Sequence, residues 1–237
     1  MIDQKAGMLA QYQQQTECLV ALDSIIFGFD GLELKLLLVN RGVEVDKQTW
    51  SLMGGWLTPT ESLAQAADRI LYELTGLRDI YLEQLHTFGE PLRDPVQRTV
   101  SVAYFALVNV KDYEQKISDT FHANWFSLNE LPELLFDHRD MVQMAIKSLR
   151  YKASQHPIGF ELLPQKFTIP QLQKLYEAIF GTTIDKRNFS RKILSTNLLL
   201  KLDEKHRGSS KKGAFLYEVN KEKYSQQFNS FMNFMAS

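Results

Sequence analysis

The spacing of hydrophobic residues predicts strands through the first half of the chain. Two aliphatic-rich segments, 18–29 and 33–40, flank an Asp-Gly pair that is typical of a hairpin turn. Strand patterns return at 50–56, 80–88, 99–110 and 123–128. This part of the chain is therefore expected to form a sheet.

Helical spacing marks two segments among these strands. One begins after Thr60, the expected N-cap, and ends at Gly76; its apolar face comprises Leu63, Ala66, Ala67, Ile70, Leu71 and Leu74. The other runs over 134–154. Strands interspersed with two helices predict an α+β domain at residues 18–155, after a polar, Gln-rich arm at residues 1–17.

From residue 156 onward the pattern becomes helix, tight turn, helix and two alternating strands. Thr168 is the expected N-cap of the first helix, and Gly181 follows its end. The second helix, at 185–196, would place Phe189, Ile193 and Leu194 inward. This order is typical of a winged helix-turn-helix, which we assign to residues 156–237.

The overall charge of -1 hides an asymmetry between these two parts. Residues 186–223 carry eleven Lys and Arg against four Asp and Glu, whereas the remainder carries sixteen against twenty-four. A basic segment attached to an acidic body indicates an anionic partner. A solvated basic face is the alternative interpretation.

Cysteine content and hydropathy exclude several protein classes. Cys18 is the only cysteine, so neither an internal disulfide nor a cysteine-based zinc site is expected; at the start of a strand it is predicted to be buried. No apolar stretch approaches the ~20 residues of a membrane span, and no signal peptide is visible. We expect a cytoplasmic protein without a membrane partner.

One motif in the first domain carries a family signature. GGWLTPTESLAQAADRILYELTGL, residues 54–77, resembles the Nudix box, whose pattern is G, five residues, E, seven residues, R-E-U, one residue, E-E, one residue, G-U, with U a bulky apolar residue. Seven positions match at the right spacing: Gly55, Glu61, Arg69, Leu71, Glu73, Gly76 and Leu77. The resemblance implies a Nudix fold.

The same motif lacks the residues for Nudix chemistry. Active members of the family hold Mg²⁺ or Mn²⁺ on three helix carboxylates, two of which are replaced here by Ile70 and Leu74. Glu73 alone cannot supply a hard-cation site and is expected to pair with Arg69. We predict no catalytic residues, no metal and no cofactor; the five histidines are scattered without ligand spacing.

A catalytically degenerate Nudix-like domain followed by a winged helix resembles the Nudix-related transcriptional regulators. Segments such as WSLMGGW, NELPELLFDH and DKRNF are most similar to the sugar-responsive branch, typified by an L-arabinose repressor. Another branch senses ADP-ribose or a related nucleotide. The resemblance implies a homodimer that binds double-stranded operator DNA, as a repressor, and responds to a small effector.

Basic and polar residues at two places in the second domain are the DNA-binding candidates. A recognition helix presents its N-terminal half to the major groove, where Arg pairs with guanine and Asn with adenine. A hairpin tip suits phosphate contact. The helix candidates are Lys186, Arg187, Asn188, Arg191 and Lys192, and the tip candidates are Arg207, Ser209, Ser210, Lys211 and Lys212.

The effector candidates are polar residues near the degenerate box and one aromatic side chain. A pentose needs planar hydrogen-bond partners and an aromatic face for its C–H side, whereas a nucleotide diphosphate prefers more Arg or Lys. Asp94-Pro95 also fits an ordinary turn, and Trp56 also fits core or dimer packing. The candidates are Asp23, Arg41, Trp56, Arg93, Asp94 and Arg98.

Two other functions stay open at this level. A residual Nudix diphosphate hydrolase could use Glu73 with ligands from elsewhere in the chain. A binding module could direct its basic segment at RNA or a protein.

Overall fold

A computed structural model describes six stretches of the chain: residues 12–13, 15–42, 49–113, 122–155, 157–206 and 213–224. The strands are β1 Leu19–Phe29, β2 Leu34–Asn40, β3 Trp50–Ser51, β4 Met53–Trp56, β5 Glu83–Phe88, β6 Thr99–Asn109, β7 Ala123–Ser127, β8 Leu199–His206 and β9 Ala214–Val219. The helices are α1 Leu63–Thr75, α2 Val110–Tyr113, α3 His138–Gln155, α4 Ile169–Phe180 and α5 Lys186–Ser195.

Strand β1 is the centre of a mixed sheet. It runs parallel to β6 along its whole length, and its other edge pairs antiparallel with β4 at one end and with β2 at the other. The predicted Asp-Gly hairpin between β1 and β2 is confirmed by the pairing of Phe29 with Leu34. This shared edge brings β4, the strand that opens the Nudix box, against the N-terminal half of β1.

Helices cover both faces of the sheet. Ile26 and Leu37 belong to a buried cluster with Leu71 of α1, while Ile25 and Phe27 share another with Met141 of α3. Because successive side chains of a strand point to opposite faces, β1 is buried on both sides. The predicted α+β domain is confirmed.

Several boundaries differ from those predicted. Helix α1 begins after Ser62, not Thr60, because Ser62 and Gln65 form a reciprocal capping box. Helix α3 begins at His138, four residues later than expected, after Phe136 takes a positive φ of 50°. The 80–88 segment becomes a strand only from Glu83, and 50–56 is divided into β3 and β4.

Two burial predictions are wrong. Cys18 is exposed, because it precedes the first residue of β1. Leu194 is 41% exposed, because only Phe189 and Ile193 of α5 lie on its buried face.

The C-terminal part forms the predicted winged helix. Thr168 caps α4 in a capping box with Gln171, and Gly181 ends the helix in the left-handed conformation, both as predicted. Asp185 caps α5, and β8 pairs antiparallel with β9. The predicted wing-tip residues Arg207, Ser209, Ser210, Lys211 and Lys212 lie outside the described residues.

Helix α3 joins the Nudix-like part to the winged helix. Its Met141 and Leu149 share a continuous buried cluster with Leu172 and Leu175 of α4. Near its C-terminal end, Arg150 donates from Nε to the carbonyl oxygen of Ile179, 2.9 Å away in the last turn of α4. The helix therefore contacts both parts of the molecule.

Candidate functional site

Five of the six effector candidates line one cavity of about 310 Å³ beside the start of α3. They are Asp23, Arg41, Trp56, Arg93 and Asp94. Arg98 lies elsewhere, where its guanidinium donates to the carbonyl oxygens of Gly89 at 3.0 Å and Glu90 at 3.2 Å. That geometry braces the loop before β6.

Asp23 is the buried acidic group of this cavity. It lies on β1 opposite Gly54 of β4 and is 4% exposed. A β-carbon at position 54 would collide with the Asp23 carboxylate, so the close approach of the two strands requires glycine there. Ser101 of β6 donates to Asp23 Oδ2 at 2.5 Å, which leaves Oδ1 directed elsewhere.

Two guanidinium groups lie beside this carboxylate. Arg93 makes a bidentate pair with Asp137, at 2.9 and 2.7 Å, and its Nη2 is 3.7 Å from Asp23 Oδ2. Arg41 donates to the carbonyl oxygen of Gly54. Burial lowers the pKa of Arg41, and the nearby charge of Asp23 opposes that effect.

His138, which was not among the candidates, also lines the cavity. The backbone N–H of Leu52 donates to its Nδ1 at 3.3 Å, and its Nε2 is 3.5 Å from Asp23 Oδ1. Burial lowers the pKa of His138, while Asp23 and Asp137 act in the opposite direction. The ring is therefore neutral at pH 7, with its hydrogen on Nε2.

Two aromatic side chains stand at the mouth of the cavity. Trp56 is 50% exposed and Phe136 is 48% exposed. The exposure of Trp56 is incompatible with the alternative that it is a core residue of this chain. Together the two rings supply apolar surface next to the charged interior of the cavity.

The Nudix-box helix carries no donor set for a divalent cation. Ile70 is 2% exposed and packs with Leu74 among aliphatic residues, so neither position offers an oxygen. Glu73 binds Arg69 at 3.1 Å, as predicted. The Mg²⁺ or Mn²⁺ that the fold implies does not fit these residues, because a hard cation needs several oxygen ligands.

Arg69 has a second partner that the sequence did not suggest. Glu61 binds it through two hydrogen bonds of 2.9 and 2.7 Å, which lower the pKa of Glu61 to about 2. Arg69 also donates to the carbonyl oxygen of Trp56 at 3.0 Å. Glu61 and Arg69 therefore fix the loop that contains Trp56 against helix α1.

The five helix candidates for DNA binding all lie on α5 and are exposed. Phe189 and Ile193 anchor the opposite face, with the Phe189 ring 5.6 Å from that of Tyr176 on α4. Arg191 donates to Asn188 Oδ1 at 2.9 Å, which couples the orientation of the two side chains. The helix thus presents an ordered polar face.

The hairpin beside α5 adds basic side chains that were not singled out. Lys201 and Lys205 of β8 lie 3.6 and 4.6 Å from the centre of the Phe215 ring on β9. Cation–π contacts of this kind hold ammonium groups near a surface without neutralising them. The described part of the hairpin is therefore basic on the face that carries Phe215.

Sequence reasoning missed His138 and its neighbour Asp137 for a simple reason. Both lie far along the chain from the Nudix box, and no ligand spacing links them to Asp23 or Arg93. The available signal was an Asp-His pair, Asp137 and His138, in the first turns of the helix predicted over 134–154. Across the described stretches, no group of three or more His, Cys, Asp or Glu side chains could hold a metal ion.

None of the helices described is long and apolar enough to cross a membrane.

Two family models match the chain. Residues 20–145 match the NUDIX domain, and residues 159–219 match the NrtR DNA-binding winged helix domain. The chain is 34% identical over 228 residues to the ADPR responsive transcriptional repressor NtrR of Acinetobacter baylyi, which covers 94% of this chain and 91% of that protein.

Solved structures show the same arrangement. Shewanella oneidensis NrtR complexed with a 27mer DNA matches with a TM-score of 0.70 and 30% identity, covering 87% of this chain and 95% of that one. The Nudix domain of the same protein complexed with ADP ribose matches with a TM-score of 0.50 and 31% identity, covering 61% and 97%.

Proposed function

Because the chain belongs to the NrtR-type family of transcriptional regulators, in which a Nudix domain precedes a DNA-binding winged helix, we propose that it is a repressor controlled by a small sugar. The preferred effector is a pentose such as L-arabinose. It would bind in the cavity lined by Asp23, Arg41, Trp56 and Arg93 and release the protein from operator DNA.

The observation that carries this proposal is the alternation of charge inside that cavity. Carboxylates of Asp23 and Asp94 lie among the guanidinium groups of Arg41 and Arg93. Sugar hydroxyl groups donate and accept at once, so they satisfy such a mixed lining, and Trp56 offers an exposed ring for the C–H side. At about 310 Å³ the cavity is at the small end of the ~300–1,000 Å³ of ligand sites.

The same lining disfavours a diphosphate. Arg93 already donates from Nε and Nη2 to Asp137, so one edge of its guanidinium group is occupied. The buried Asp23 would repel phosphate oxygens, and the box helix has no cation site to offset that repulsion.

ADP-ribose is the second candidate effector. It is favoured by the relative from Acinetobacter baylyi, whose name states that it responds to ADP-ribose, and by the complex of the Shewanella oneidensis Nudix domain with that ligand. It would need contacts beyond the cavity.

DNA binding is assigned to α5 and the wing. The exposed Lys186, Arg187 and Arg191 supply phosphate and guanine contacts, and Asn188 supplies an adenine contact. Lys192 and the tip residues Arg207, Ser209, Ser210, Lys211 and Lys212 add contacts to the backbone. A homodimer would address two operator half-sites ~34–36 Å apart.

One experiment separates the candidates. The full-length protein is titrated calorimetrically with L-arabinose, with its mirror image D-arabinose and with ADP-ribose. Each ligand is then added to the complex of the protein with a DNA duplex that the protein has selected from a random pool. Heat from L-arabinose alone, with loss of DNA binding, supports the proposal; heat from ADP-ribose alone supports the second candidate and overturns the first.

A further inference from the structure

The cavity contains a hydrogen-bond donor, His138 Nε2, next to an acceptor, Asp23 Oδ1. His138 Nε2 and Asp23 Oδ1 are 3.5 Å apart. An N–H···O hydrogen bond is usually ~2.9 Å long, so neither atom is satisfied by the other. Both side chains are almost completely buried, at 5% and 4% exposed.

The direction of each group is set by its other contacts. Leu52 donates its backbone N–H to His138 Nδ1, which places the ring hydrogen on Nε2 and makes that atom a donor. Ser101 donates to Asp23 Oδ2, whereas Oδ1 faces His138 Nε2 at the longer distance of 3.5 Å. Buried polar groups normally find partners, because an unmade hydrogen bond is costly.

We propose that His138 and Asp23 together recognise one hydroxyl group of the effector. The hydroxyl oxygen accepts from His138 Nε2–H, and its own hydrogen is donated to Asp23 Oδ1. A hydroxyl is the small group that both donates and accepts at one atom, so a keto or a deoxy position cannot satisfy both partners. This inference rests on the proposed sugar effector and adds a residue that fixes its specificity.

Two substitutions of His138 distinguish recognition from a structural role. His138→Asn keeps an oxygen near the Nδ1 position, where it still accepts from Leu52, but it lacks a donor at the Nε2 position. His138→Gln does the reverse, since its amide NH₂ reaches the Nε2 position while the contact with Leu52 is lost.

If His138 recognises the effector, the two variants should differ in sugar affinity. We expect His138→Asn to bind L-arabinose about tenfold more weakly than wild type, as for one lost hydrogen bond. His138→Gln should bind within about threefold of wild type, even if its melting temperature falls. A purely structural role predicts the opposite order, with affinity following thermal stability.

The measurement is calorimetric titration of full-length wild type and both variants with L-arabinose, and with its monodeoxy analogues. One analogue should bind wild type and His138→Asn equally, because the missing hydroxyl is the one that His138 contacts. Wild-type binding with unchanged affinity in His138→Asn overturns this inference alone. Absence of L-arabinose binding to wild type overturns the sugar assignment and this inference with it.

Discussion

Ile70 of α1 lies directly beneath Gly55 of β4. Its Cγ1 would be 2.9 Å from a β-carbon on that glycine. The Nudix-box pattern has a carboxylate at this helix position. In this chain an aliphatic side chain fills the space under the loop.

The first prediction is that the protein does not hydrolyse diphosphates. ADP-ribose and nucleoside triphosphates should stay intact with Mg²⁺ or Mn²⁺ at micromolar protein, because Glu73 alone remains and is paired with Arg69. Chromatography of the nucleotides over several hours measures this. Turnover that survives repurification and is lost in Glu73→Gln would contradict the prediction.

The second prediction compares two arginines of one loop. Arg93→Ala should lower the free energy of unfolding by about 3 kcal/mol, because it removes one of the two cations beside the buried Asp23 and both hydrogen bonds to Asp137. Arg98→Ala is the matched control; it loses contacts to carbonyl oxygens and should cost about 1 kcal/mol or less. Urea denaturation gives both values. Equal losses would show that the Asp137–Arg93–Asp23 arrangement is not what stabilises the loop.

The third prediction concerns pH. His138 has a lowered pKa in the folded protein, whereas in the unfolded chain it titrates near 6.5. Below that pH the unfolded state binds a proton that the folded state does not, so stability is lost as the pH falls. The stability lost for one proton is at most about 1.4 kcal/mol per pH unit below pH ~6.5, and stability no longer depends on His138 above pH ~7.5.

Denaturation of wild type and His138→Gln between pH 5 and 7.5 tests this. The wild type should show the steeper loss of stability on the acid side, because the variant has no imidazole to protonate. Parallel curves would mean that the folded protein accommodates a protonated His138.

The sequence predicted those features that depend on residues close together in the chain and missed those that depend on distant ones. Local patterns sufficed where neighbouring residues decide the outcome, as with the Thr168 cap and the Gly181 end of α4. The cap at Ser62 was missed because Glu61, the residue after the predicted cap Thr60, binds Arg69 instead of opening the helix. His138 was missed because its partners Leu52 and Asp23 are 86 and 115 residues away along the chain, and no local pattern reports contacts over such separations.

The fourth prediction separates base contacts from phosphate contacts. Arg191→Ala should weaken binding to the selected duplex by ~1–3 kcal/mol and relax preference at one base pair, because its guanidinium lies on the exposed face of α5. Lys211→Ala should weaken selected and random duplexes alike and reduce the salt slope by about one. Lys147→Ala, on the exposed side of α3, is the neutral control. Equal losses for Arg191→Ala on both duplexes would contradict the groove assignment.

The fifth prediction concerns communication between the two parts. Arg150→Ala removes the hydrogen bond to Ile179 and leaves the residues of the cavity and of α5 unchanged. We expect unchanged affinity for sugar alone and for DNA alone, with a reduced effect of each on the other. Coupling of this kind is typically ~1–3 kcal/mol and must be equal in both directions. If sugar changes the DNA affinity of the variant as much as it changes that of wild type, this contact does not carry the coupling between the two parts.

If the proposed effector binds beside His138, helix α3 is placed to transmit a movement to the winged helix, because it lines the cavity at one end and packs against α4. Its eighteen residues, from His138 to Gln155, span about 27 Å at ~1.5 Å per residue. A tilt of about 10° where His138 meets a ligand would therefore move the far end by about 5 Å. A displacement of that size is close to the ~5.4 Å pitch of an α-helix. In a homodimer on two half-sites it would move one recognition helix out of its major groove while the other stays in place. Binding of a small ligand would thus change the distance between two DNA-binding surfaces.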